Sequence, residues 1–342
     1  MKDDCRIEKK YLVERLLRIP AIDNCEVIST TERGFRILIQ FGDGLEKTAF
    51  VFVLREALPR VIKKTVVELQ DDNEEIYGIL MAPYISEQSE KLCIESGFGY
   101  VDLSGNAYIS FGTLFISEKG NPNKYPQKKK QKNLFDSTST TTSLILRKLL
   151  ENTEKVWKLK YLSEAVGCSI GMVSRVKDEL CAQLWAEMTK EGLRITDSRG
   201  LLEAWGKGYQ IPKEKVVGCY TLESLPEFEK KLKDLRTNHG IESYLTGFSG
   251  GVRYAPVVRY NRIHVLVSPE DIDEFIQYSD CKRVDTGANI LIYEAQSSEI
   301  AGVMEIKSDW IASPVQVYLD CMQLKGRGEE LAEAVYEREI KR

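Results

Sequence analysis

A multi-domain α/β fold is the class this 342-residue chain predicts, on three observations. Strand-like alternation and helix-like periodicity take turns along both ends of the sequence. A run without acidic residues, NPNKYPQKKKQKN, interrupts them after residue 120. Beyond that run the period becomes purely helical and closes with a short hairpin before strands return. The expected parts are an N-terminal α/β domain over 1–120, a basic linker over 121–136, a helical domain with a hairpin over 137–208, and a small α/β domain over 209–342.

The first domain opens with an amphipathic helix over 9–18 that stops before Pro20. Strands are expected over 25–29, 34–41 and 47–54, then a helix around 57–64. A strand over 77–81, a helix over 86–96 and strands over 100–103 and near 107–116 complete it. This order resembles restriction-endonuclease-like folds. Their sites need a carboxylate at one strand end, then an acid and a lysine one residue apart on the next strand, to hold Mg²⁺. Here the third strand reads KTAFVFVLRE, with Val and Phe where the acid and lysine would stand, and Asp43 and Glu46 lie in the preceding turn. A degenerate site is the expectation. The compact stretch GFGYVDLSGNA, residues 97–107, reads either as a polar site or as a hairpin corner in which Asp102 and Asn106 make turn hydrogen bonds.

The central domain carries the sharpest pattern. A first helix is expected over 142–150, with the Ser/Thr run at 137–143 supplying capping hydroxyls. In LKYLSEAVGCSIGMVSRVKDEL, residues 159–180, Leu159, Leu162, Ala165 and Val166 recur at helical spacing, and Gly167-Cys168 break it. Ser169 restarts the helix as an N-cap, and Val173, Val176 and Leu180 form the next stripe. That is a helix-turn-helix, with an ordinary helical hairpin as the alternative. Ser169, Gly171, Met172, Ser174, Arg175 and Lys177 lie on the outer face of its second helix, where a major groove would be read. A turn at Lys190-Glu191-Gly192 between short strands makes a wing, with Lys190 and Arg194 as candidates for phosphate contact. Leu201, Leu202 and Trp205 mark a closing helix.

In the last domain, a charged helix over 225–235, strands over 264–267 and 288–293, and a long helical stretch over 313–339 broken near Gly326 are expected. The turn GFSGG resembles the Gly-Ser element of nucleotidyltransferases. Those enzymes need paired acids on the next strand for two metals, whereas RIHVLVSPED has His264 where an acid is wanted. This fold too is expected to be degenerate. Asp271 and Asp273 suit a helix N-terminus.

Composition narrows the partners. With 43% hydrophobic and 29% charged residues and a net charge of −4, any affinity for nucleic acid must be local. Lys128, Lys129, Lys130 and Lys132 in the linker read either as a solvated run or as added phosphate contacts with steep salt dependence. Eight cysteines without a C-x-x-C spacing, and two histidines, give no support for a zinc site and suit free thiols in a reducing cytosol. No signal peptide or membrane-length apolar run is visible, so a cytoplasmic protein without metal or cofactor is expected.

GYVDLSGNAYI (residues 99–109), the helix-turn-helix with its wing, YLTGFSGG (244–251) and SPVQVYLDCMQLKGRGEELAE (313–333) together resemble the AbiEi-like antitoxins and transcriptional regulators of bacterial type IV toxin–antitoxin systems. The resemblance covers most of the chain from residue 97 onward. It implies a cytoplasmic repressor that binds inverted repeats in its own promoter, leaves room for a homodimer, and opposes a nucleotidyltransferase-like toxin without a stable complex. One departure stands out. The family's winged helix lies at the N-terminus, whereas here the domain over 1–120 and the linker precede it, which suits a stand-alone regulator as well. A metal-dependent nuclease or nucleotidyltransferase, and an antitoxin acting through protein contacts without DNA, are the competing readings. Within 313–333, Val315, Val317, Leu319 and Met322 suggest a half-buried helix, and Arg327 has Asp320 or Glu330 as a partner at the corner.

Overall fold

The structure, a computed structural model, describes residues 5–70, 76–126, 134–135, 139–295, 298–306 and 308–341. It forms two compact units, Met1–Gln131 and Lys132–Arg342.

The first unit runs α1 (Arg6–Leu16), β1 (Ile22–Thr30), β2 (Gly34–Phe41), β3 (Glu46–Val53), α2 (Pro59–Gln70), β4 (Tyr77–Ala82), α3 (Glu87–Glu95), β5 (Gly99–Asp102), β6 (Ala107–Phe111) and β7 (Leu114–Glu118). Its seven strands lie side by side in chain order. β3, β4 and β5 are parallel, because α2 and α3 carry the chain back between them, and all other neighbours are antiparallel. Alternation along each strand sorts the side chains onto two faces. Ile37, Val51, Ile79, Met81 and Val101 pack on Leu12 and Leu16 of α1. Leu80, Ala82 and Tyr100 meet Ile62, Val66 and Cys93 of α2 and α3. The strand expected near 107–116 is instead a hairpin, closed where Phe111 pairs with Leu114. The apolar alternation runs through this tight turn almost unbroken, which hides it.

The second unit begins with α4 (Thr140–Leu150), α5 (Leu159–Val166) and α6 (Ile170–Ala182), followed by the hairpin β8 (Ala186–Met188) and β9 (Leu193–Ile195) and by α7 (Ser198–Gly208). Trp157 adds a single bridge to Leu193 of the hairpin, with two 2.8 Å backbone bonds. There follow β10 (Val216–Tyr220), α8 (Leu225–His239), β11 (Ser243–Leu245), α9 (Gly247–Tyr254), β12 (Ile263–Val267), α10 (Ile272–Ser279), β13 (Lys282–Arg283), β14 (Ile290–Glu294), β15 (Met304–Ile306), β16 (Asp309–Ile311), α11 (Pro314–Met322) and α12 (Gly328–Val335). The sheet order is β13-β10-β14-β12-β11-β16-β15, so most neighbours are distant in sequence. α8 and α10 cover one face through Phe228 and Phe275, against Val265, Val267, Ile290 and Ile292. On the other face, Leu266 and Tyr293 join one apolar core with α11, α12, α7 and the helix-turn-helix.

Two expectations change here. GFSGG opens the helix α9 rather than forming a turn. Its glycines permit close packing: a Cβ on Gly250 would stand 2.7 Å from the Leu245 carbonyl oxygen, and one on Gly251 would stand 2.6 Å from Leu331. α11 is not half-buried, since every residue from Val315 to Cys321 is buried. It is held between α9, α12 and α7, so its polar positions must find partners inside.

Candidate nucleic-acid interface

The turn between α5 and α6 is built as its sequence requires. Gly167 ends α5 at φ +72°, in the left-handed region that glycine enters without strain. Ser169 caps α6, its hydroxyl accepting from the Met172 amide at 3.2 Å. Val173, Val176 and Leu180 are buried and fix the helix to the core. Ser169, Gly171 and Arg175 are exposed, and Met172, Ser174 and Lys177 are half-buried on its flanks. Arg175 Nη2 rests 2.8 Å from Met172 Sδ, a weak acceptor. The Lys177 ammonium stands 2.7 Å from Asp178.

At the hairpin, Lys190 is exposed in a turn in which the Thr189 hydroxyl accepts from the Glu191 and Gly192 amides. Arg194 is also exposed, but its guanidinium forks onto Glu187 of the facing strand. At the start of α4, the Ser139 hydroxyl contacts Thr142 Oγ1 at 2.7 Å and caps no backbone amide. Lys128, Lys129, Lys130 and Lys132 lie outside the described residues. Sequence reasoning passed over Tyr161 and Ile170, which are exposed at 57% and 50% beside this turn. Nothing in the period set them apart.

Behind α7 lies a polar network that sequence reasoning also missed. Asp320 is fully enclosed and accepts from Tyr209 Oη at 2.9 Å, from Gln316 Nε2 at 2.7 Å and from the Thr246 hydroxyl. Burial pushes its carboxyl up to about 7, against the opposing effect of the Thr246 hydrogen bond. Gln316 Oε1 accepts from Arg147 Nη2 at 2.6 Å, so one amide joins α4 to α11. Nearby, Arg199 of α7 reaches Glu333 at 2.6 Å and also pairs with Glu337. The corner arginine Arg327 pairs with Glu330, because Asp320 points into the interior instead.

Of the acids weighed for catalysis, Asp43 and Asp102 are used in turns, whereas Glu46 opens β3 and pairs across to β2 instead of lying in the turn. Asp43 accepts from the Leu45 amide at 3.0 Å, and Glu46 from Gln40 at 2.8 Å. Asp102 accepts from the Ile85, Gly105 and Asn106 amides and from Asn106 Nδ2, which makes 97–107 a hydrogen-bonded corner. His264 is buried, with Nδ1 2.7 Å from Tyr293 Oη, and burial lowers its pKa to about 4. Among the described residues, no three His, Cys, Asp or Glu side chains gather where they could hold a metal ion. None of the eight cysteines is in a disulfide. No helix among the described residues is long and apolar enough to cross a membrane.

No curated protein and no solved structure matches the chain. Residues 194–341 match a family described as "Transcriptional regulator, AbiEi antitoxin, Type IV TA system". The matched region starts in β9 and contains α7, the whole second sheet, α9 with its GFSGG and the Asp320 network on α11. The match covers a little under half of the chain, and over this region, residues 194–341, the sequence is similar to that family.

Proposed function

We propose that the chain is a sequence-specific DNA-binding transcriptional regulator, an antitoxin or autorepressor of the AbiEi type. In this reading residues 137–208 are a winged helix, α6 enters the major groove and the β8–β9 hairpin lies along the phosphates. The observation that carries it is the exposed start of α6, where Ser169, Gly171 and Arg175 face solvent while the apolar stripe holds the helix in place. Among the described residues Arg175 has only a thioether to leave, so swinging its guanidinium onto guanine O6 and N7 costs little. Arg194 would have to exchange Glu187 for a phosphate, which makes Lys190 the better backbone contact. The linker lysines add sequence-independent attraction.

The two α/β layers then act as scaffolds, restriction-endonuclease-like in the first unit and nucleotidyltransferase-like in the second, each without its acids. The operator is an inverted repeat read by a homodimer in the cytoplasm, and the opposed toxin is nucleotidyltransferase-like. Fluorescence anisotropy with a duplex from upstream of the protein's own reading frame tests the core of this reading. Saturable binding that survives excess non-specific DNA is expected. Its absence would leave protein contact as the only antitoxin activity. With Mg²⁺ or Mn²⁺, neither cleavage of plasmid DNA nor nucleotide transfer is expected. Activity that disappears in Asp43→Asn, Glu46→Gln or Asp102→Asn would return the enzyme reading to first place.

A further inference from the structure

Within the second unit, a cavity of about 640 Å³ lies between α4, the end of α7, β12, β14 and α11. That volume is in the range of small-molecule sites, roughly 300–1,000 Å³. Its walls are mainly aromatic and aliphatic: Phe135, Trp205, Tyr209, Ile211, Leu266 and Tyr293. Gly208, Gln210 and Pro212 line it and are exposed, so it opens to solvent along the segment that follows α7.

One cation lines this cavity from inside. Arg147 is 3% exposed, with Nε donating to Ser143 Oγ at 3.2 Å and Nη2 to Gln316 Oε1 at 2.6 Å. Its guanidinium carbon sits 5.2 Å from the centroid of the Trp205 ring. Nη1 is buried and has no hydrogen-bond partner among the described residues. Asp320 is joined to this guanidinium through Gln316, and its own oxygens already serve Tyr209, Gln316 and Thr246. Glu299 and Asp320 act on this guanidinium through their charge, but among the described residues no acceptor meets Nη1, and a buried donor left unmet is costly. The missing complement is a single anionic acceptor attached to an apolar body. Glu294 and Glu299 also line the cavity and oppose a polyanion such as a nucleotide.

We propose that this cavity binds a small organic monocarboxylate, whose carboxylate accepts from Arg147 Nη1 while its apolar part lies against Trp205 and Phe135. The site sits where α4 and α7, which frame the helix-turn-helix, meet α11. Occupancy therefore changes the affinity of the protein for promoter DNA. That second statement rests on the DNA-binding reading, and the first does not.

The full chain is titrated with benzoate, phenylacetate, indole-3-acetate and hexanoate, and with the corresponding carboxamides, by thermal shift and calorimetry. At least one carboxylate should bind saturably and raise Tm, while its carboxamide binds at least tenfold more weakly. Arg147→Lys, which keeps the charge but loses the second donor arm, should weaken binding at least tenfold. Ile211→Trp fills the mouth from a half-buried loop position and should abolish binding in a protein that still unfolds cooperatively. Failure of every carboxylate to bind, equal binding of the amides, or unchanged binding in Ile211→Trp overturns the site. The assay contains no DNA, so its failure is distinct from failure of the regulator reading. Promoter affinity unchanged by a saturating carboxylate would overturn the coupling.

Discussion

The surface of α6 and the interior of α11 treat polar side chains in opposite ways. On α6, Ser169, Gly171 and Arg175 are left in solvent, and the arginine rests on a thioether. On α11, Gln316 and Asp320 are wholly buried and committed to Arg147, Tyr209 and Thr246. An exposed charge contributes little to stability and remains available to a partner. A buried polar group holds elements in register, and removing its partner is expensive. The difference separates residues left available to a partner from those that hold the surrounding elements in place.

The largest effect should follow from breaking the interior. Asp320→Ala takes away the buried acceptor that Tyr209, Gln316 and Thr246 share, so urea denaturation should show a loss on the order of 3–5 kcal/mol. A loss below about 1 kcal/mol would mean that the network relaxes and does not hold α11.

Protonation offers a gentler probe of the same place. The Asp320 carboxyl is raised to about 7 in the folded chain, so its contribution is complete below its ordinary value near 3.8 and is lost as pH rises through about 7. His264, lowered to about 4, works the other way, and its contribution is lost as pH falls from about 6.5 toward 4. Between about 4 and 6.5 the two slopes oppose each other, each about 1.4 kcal/mol per pH unit at most. Asp320→Asn removes one of them, so the stability of this variant should rise with pH across that window more steeply than the wild type. Parallel curves would show that Asp320 is ionised in the folded protein.

On the surface, Arg175→Ala should relax specificity at one base position by roughly 1–3 kcal/mol. The urea midpoint should stay unchanged, because the side chain is exposed. An altered midpoint together with unchanged promoter binding would remove α6 from the interface. The smallest effect should come from the linker. Replacing Lys128, Lys129, Lys130 and Lys132 with Gln should weaken specific and non-specific DNA alike. The slope of log affinity against log salt should fall by up to about 0.9 for each phosphate that is no longer neutralised. An unaltered slope would make the run a solvated linker.

How much could be read in advance depended on how far apart the pairing strands lie. In the first unit the strands pair in chain order, so alternation in GFRILIQF locates both a strand and its two faces. In the second, β11 has three residues and pairs with β16, more than sixty positions away, so neither strand announces itself. The turn at Gly167 and the cap at Ser169 were legible because their causes are local, a positive φ and one hydroxyl.

Local chemistry by itself therefore determined the α/β class, the helices α5 and α6 with the turn between them, and the face that α6 presents. Only the tertiary structure decided which polar residues would be enclosed. Arg147 stands next to Lys148 in LRKLL, yet one is 3% exposed while the other reaches out to Glu151 at 2.6 Å. Nothing local separates them. Arg147 is buried because α11 packs against that side of α4 and supplies Gln316, a residue 169 positions away. Burial of a charge depends on what the rest of the chain brings to it, and that is a property of the assembled fold.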